Sequence, residues 1–236
     1  MNAETEERRK TLRWRDIVVA CVVVFAFVAL DVVTWRMGYS SLESVMWGAS
    51  FLAMVGLPAI IARHRKIDLG FCTVEKLFSW RDLLWGMGAM AILFVPIVVG
   101  HGVWMTHGLG AKAAFSWSNF DAILPQIPSE ILWQFLGVAL PEEYFYRGFI
   151  QTNIAYRLEQ SPRRSLQKYA APISIALASM IFASLHVVNG GFARLVTFFP
   201  GCLFGFLRYK TNGIAGAVFA HAMCNLMMFA LNVQYL

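Results

Sequence analysis

Apolar residues in this chain come in runs of about twenty, each closed by a short polar or basic break, and a run of about that length is what an α-helix needs to cross a bilayer. The runs predict seven spans, at about 16–33, 42–62, 83–103, 127–156, 171–188, 192–207 and 214–233. Trp35 and Arg36 mark an interface after the first, and Arg63-His64-Arg65-Lys66 close the second. Residues 1–15 are polar and precede the membrane. Residues 67–80 set Phe71, Leu77, Phe78 and Trp80 among charges and are expected to lie on the membrane surface. The fourth run is too long for a perpendicular crossing. Pro141 inside it removes a backbone donor and should kink it there.

Charge adds the orientation. With the N-terminus inside, the inner breaks hold sixteen Lys or Arg, and the outer side holds only Arg36, Lys112 and Arg194. That asymmetry predicts an N-in, C-out all-α polytopic protein of about seven helices. Composition agrees: of 236 residues, 58% are hydrophobic and 14% charged, where soluble domains carry about 25% charged residues. The net charge of +6 does not point to nucleic acid, because no basic stripe is interleaved with aromatics and no nucleic-acid motif is present. Cysteines at 21, 72, 202 and 224 form no CxxC pair, so neither a disulfide framework nor a thiolate metal site is expected. The basic N-terminus resembles a signal sequence, but its apolar run is long and no small-residue cleavage site follows, so it reads as a retained first helix. Residues 16–236 are expected to form a single membrane domain.

Against that background, the stretch Pro141-Glu142-Glu143-Tyr144-Phe145-Tyr146-Arg147-Gly148 stands out. Each charge at membrane depth costs about 3 kcal/mol even on the lenient insertion scale. Glu143 and Arg147 are four apart and can pair on one face, while Glu142 lies about 100° round the helix. The division expected is a paired carboxylate that positions the arginine and a free one suited to proton transfer. Two other spans carry polar residues at helical spacing: Phe182 with His186, and His221 with Asn225. A structural ion cluster, or amide glue between helices, would use the same residue types. Taken together, a free carboxylate, two histidines and an amide make a hydrolytic set, able to activate water and to donate to an oxyanion.

Glu142-Glu143-x-x-x-Arg147, Phe182-x-x-x-His186 and His221-x-x-x-Asn225, in this order on separate spans, resemble the three motifs of the CAAX-protease and bacteriocin-processing family. These are intramembrane endopeptidases that include the Ras-converting CAAX prenyl endopeptidase. The resemblance covers about residues 125–230, and the Thr211-Asn212-Gly213-Ile214 lead into the last helix shares it. It implies hydrolysis of a peptide bond in or beside the membrane, with Glu142 as base for water and His186 beside it. His221 and Asn225 would stabilise the oxyanion, and Glu143 and Arg147 would organise the site. It further implies a glutamate-dependent mechanism without a cofactor. The alternative is a zinc site of Glu142, His186 and His221, which lacks an HExxH motif and leaves Asn225 without a role. The substrate would be a membrane-associated protein or peptide, such as a prenylated CAAX protein, a bacteriocin precursor, a pheromone or a sorted surface protein. The expected location is a bacterial cytoplasmic membrane.

Two other functions fit a membrane protein of this kind. A non-catalytic scaffold could keep the cluster for binding. A proton-coupled transporter could use it as a relay, but no paired halves with interrupted helices are visible. One geometric difficulty remains. Glu142 and His186 are about fifteen residues from the inner helix ends, roughly 22 Å, whereas His221 is about seven residues from Ile214, roughly 10 Å. Either the last span starts deep or the helices tilt strongly.

Overall fold

The computed structural model describes residues 13–65, 79–113 and 117–235. Most of the polar N-terminal segment and the surface segment expected at 67–80 lie outside the described residues.

Among the described residues, seven helices carry the fold: α1 (Trp14–Arg36), α2 (Ser40–Arg65), α3 (Trp80–Val103), α4 (Trp117–Glu159), α5 (Ala170–Gly190), α6 (Phe198–Thr211) and α7 (Ala215–Asn232). All but α6 are long and apolar enough to cross a membrane. The sixth predicted span is instead a tight 3₁₀ stretch, Phe192–Thr197, followed by a helix of 14 residues. The described residues contain no strand beyond one isolated bridge, Ala113 to Tyr235. Val22, Leu52 and Ile92 are 61%, 68% and 66% exposed on the outer faces of their helices. Apolar side chains turned outward on several helices suit lipid as the surrounding solvent. This is a polytopic all-α membrane protein.

Two apolar cores divide the bundle. Ile17, Ala20, Val24 and Val28 of α1 pack with Phe145, Phe149, Ile150 and Ile154 of α4 and with Ala178 and Phe182 of α5. Ala89 and Leu93 of α3 pack with Phe204 and Leu207 of α6 and Ala217 and Ala220 of α7. Ala139 of α4 meets Ile214, Val218 and Ala222 in a third, smaller cluster. Helix α4 therefore touches both halves, and its charged motif lies at the joint. At one end of the bundle, Nη2 of Arg65 closes on Oδ1 of Asp16 at 2.7 Å, tying the start of α1 to the end of α2.

Helix α4 is continuous over 43 residues but not regular. Two stretches, Trp133–Ala139 and Tyr144–Gln151, take wide π-type turns, and the four α-helical residues Leu140–Glu143 lie between them. Pro141, which cannot donate to the preceding turn, stands in this short segment. The irregularity expected at Pro141 is thus spread over both flanking stretches, and π-type turns of this kind commonly occur where side chains are aimed at a site.

The last helix begins inside the protein, packed against the start of α3. Gly213, Ile214 and Ala215 are buried, and Gly216 lies directly against the first turns of α3. A Cβ on Gly216 would stand 2.5 Å from the Asp82 carbonyl oxygen, and one on Gly86 would stand 2.7 Å from the Gly216 carbonyl oxygen. Only paired glycines allow this approach. The turn before α7 is held by Arg208, whose Nη1 donates to Oδ1 of Asn212 at 2.9 Å, with Asn212 left-handed at φ 56°. Nη2 of Arg208 donates to the Thr152 hydroxyl at 3.1 Å, and that hydroxyl donates to the Arg147 carbonyl at 3.0 Å. The start of α7 is therefore fastened to the motif of α4.

Candidate active site

Glu143 and Arg147 are both completely buried, and their Oε2 and Nε atoms stand 3.2 Å apart. The pairing expected from the spacing is present. It is a contact of charge, since none of the guanidinium nitrogens meets hydrogen-bond geometry. The guanidinium carbon lies 4.7 Å from the ring centre of Phe182, 5.8 Å from Phe204 and 6.0 Å from Tyr146. Aromatic faces attract a desolvated cation by up to about 2 kcal/mol, so the rings and Glu143 together offset the burial of Arg147.

Glu143 has a second partner. Its Oε1 lies 2.9 Å from Nδ1 of His221, a contact the spacing did not reveal. A carboxylate accepts, so Nδ1 of His221 donates and Nε2 is the nitrogen left for other groups. That Nε2 stands 3.9 Å from Oε2 of Glu142. The His221 ring is stacked on Phe204, with centroids 5.3 Å apart and planes 14° from parallel, and meets Phe182 edge-on at 5.7 Å. Carboxylate and rings leave the imidazole one orientation.

The neighbouring glutamates are thus used differently. Glu143 is held at Oε1 by a hydrogen bond from His221 and at Oε2 by the charge of Arg147. Glu142 is partly open, and its Oε2 stands 3.9 Å from Nε2 of His221. The backbone explains the split: consecutive residues point about 100° apart round the helix, so α4 turns one carboxylate into the joint and the other along its edge.

His186 sits on α5, with its ring 4.3 Å from that of Phe182. Its Nδ1 is 3.0 Å from the Phe182 carbonyl oxygen. A carbonyl only accepts, so Nδ1 carries the hydrogen and Nε2 presents a lone pair. Asn225, one turn beyond His221 on α7, donates from Nδ2 to Oε1 of Gln134 on α4 at 2.9 Å, and Nε2 of Gln134 donates to Oε2 of Glu130 at 3.3 Å.

Six of the seven residues singled out in the sequence therefore lie along the contacts of α4 with α5 and α7, and the seventh, His186, packs one turn beyond Phe182 on α5. Missed were Phe204, Gln134 and Glu130. Phe204 carries no signal, being one of several phenylalanines in an apolar run. Gln134 had one, since it is an amide within the same long apolar segment that made the glutamates conspicuous. Among the described residues, no three His, Cys, Asp or Glu side chains gather as ligands for a metal ion.

Residues 124–227 match the family model described as type II CAAX prenyl endopeptidase Rce1-like. Over this stretch, less than half of its length, the chain is similar to the Rce1-like family. No curated protein and no solved structure matches the chain. The Rce1-like region runs from the start of α4 into α7 and so contains every motif residue of the site. The family marks the protein as a protease of the CAAX class set in a membrane.

Proposed function

We propose that the chain is an intramembrane endopeptidase in which Glu142 activates water with His186 beside it. The observation that carries this reading is the contrast within the glutamate pair: Glu143 is wholly buried and held by a hydrogen bond from His221 and by the charge of Arg147, whereas Glu142 is partly open, its Oε2 3.9 Å from Nε2 of His221. A purely structural cluster has no use for a second, partly open carboxylate beside the one that already offsets the arginine.

In this mechanism, Glu142 takes one proton from water, and Nε2 of His186 accepts a hydrogen bond from the same water. The hydroxide attacks the scissile carbonyl carbon and its oxygen becomes an oxyanion. Nδ2–H of Asn225 donates to that oxygen, as does Nε2 of His221 when it carries a proton. Glu142 then passes its proton to the leaving nitrogen as the C–N bond breaks, giving a carboxylic acid and an amine. Glu143 and Arg147 hold His221 in place. No step is routed through a metal.

The family name supports a prenylated CAAX protein as substrate. The basic asymmetry supports an N-in orientation, and the compact chain fits the cytoplasmic membrane of a bacterium. The decisive experiment is hydrolysis of an internally quenched, prenylated CAAX peptide by the reconstituted protein, beside Glu142→Gln. Binding without hydrolysis by the unaltered protein would favour a scaffold instead.

A further inference from the structure

We propose that Glu130 and Gln134 are positioning residues that fix which way the Asn225 carboxamide faces. The inference rests on the oxyanion role given to Asn225 above, and extends the site to two residues outside its motifs.

The three side chains form one chain of donors: Nδ2 of Asn225 to Oε1 of Gln134 at 2.9 Å, then Nε2 of Gln134 to Oε2 of Glu130 at 3.3 Å. Glu130 and Gln134 are one turn apart on α4, Asn225 projects from α7, and all three are half-buried. A primary amide has a donor end and an acceptor end of nearly the same shape. Two amides facing each other are satisfied equally well in either direction, so the Asn225–Gln134 pair alone does not choose. A carboxylate chooses, because it only accepts. Gln134 must turn its NH₂ to Glu130, which leaves its oxygen for Asn225, and Asn225 must in turn present its NH₂. One Nδ2–H goes to Gln134 and the second remains for an oxyanion. Reversal would put a carbonyl oxygen where that N–H lies, and an acceptor there would repel the developing charge. The bond to Glu130 is charge-assisted, roughly twice as strong as a neutral one, which suits the member that sets the direction.

The test inverts the polarity of the chain. Lysine only donates, so Glu130→Lys should force both amides to reverse. Adding Gln134→Glu puts an acceptor-only group directly against Asn225 and should restore the direction. Cleavage of an internally quenched, prenylated CAAX peptide is followed, with melting temperature measured for each variant. Glu130→Lys should lower kcat by about 10²-fold, near the loss for Asn225→Ala, with KM unchanged, as for removal of one oxyanion donor. Glu130→Gln leaves both directions equally populated and should cost only about twofold. Glu130→Lys with Gln134→Glu should recover most of the rate. A residue that merely braced the helices would not give this order, nor be rescued by a second change.

The relay is wrong if Asn225→Ala abolishes turnover while Glu130→Lys leaves kcat untouched, or if the double change fails to exceed the single one. If Glu130→Lys does not fold, Glu130→Gln alone and with Gln134→Glu gives the same comparison, and the pair must be the faster. Full kcat in Asn225→Ala would overturn the oxyanion role, and the relay with it. An unaltered protein that cleaves no such peptide would overturn the hydrolytic reading and this proposal together.

Discussion

Nδ1 of His221 lies 2.9 Å from Oε1 of Glu143, joining the last helix to the motif of α4 across 78 positions of sequence. Through this contact the pair with Arg147 does more than bury two charges. It holds the imidazole that faces Glu142. On the proposed mechanism, function and folding should therefore be coupled at Glu143 and separable at Glu142.

Glu142→Gln keeps the size of the side chain but cannot take a proton. It should remove nearly all turnover while substrate affinity and melting temperature stay close to the unaltered protein, the pattern for a group acting in the chemical step. Hydrolysis surviving at more than a small fraction would take Glu142 out of the mechanism.

Glu143→Ala should destabilise the protein as well as silence it. Removing one member of a buried ion pair costs about 3–5 kcal/mol, because the other charge is left uncompensated, and Arg147 is completely buried. Thermal melting in detergent would show it, and an unchanged transition would mean that the aromatic rings hold Arg147 on their own.

Gly216→Ala tests the close packing of α7 on α3. The added methyl would meet the Asp82 carbonyl oxygen at 2.5 Å, and forced separation of packed helices costs about 1–3 kcal/mol. His221 and Asn225 ride on the same helix, so activity should fall along with stability. Gly48→Ala, where nothing lies within 4 Å of the new atom, is the control and should leave both unchanged.

Chelation should have little effect on peptide hydrolysis. Activity lost to a chelator and restored by zinc alone would transfer the site to metal chemistry, with water activated as a zinc-bound hydroxide.

Topology can be read by labelling. With the N-terminus inside, Arg36→Cys and Lys112→Cys should react from the outer face and Ser165→Cys from the inner face, in a background without native cysteines. Labelling of all three from one side would overturn the N-in arrangement.

The membrane class was legible in the sequence, and so were the polar residues that make up the candidate site, for a physical reason. Lipid charges heavily for every ionisable group and unsatisfied amide, so apolar runs mark the helices, and polar residues inside them announce a role. Helical period then put Glu143 with Arg147, Phe182 with His186 and His221 with Asn225 on shared faces. Contacts between helices were not legible, because they depend on levels and rotations that no local period sets. That His221 is held by Glu143, that Phe204 stacks on its ring and that Gln134 receives Asn225 follow from where α7 begins. That level is set by Gly216 and Gly86, two residues with no side chain to read, whose close approach lets α7 start beside the first turns of α3. The shortness of α6 was hidden for a related reason: hydropathy reports that a segment is apolar, while its backbone divides the run between a 3₁₀ stretch and a 14-residue helix.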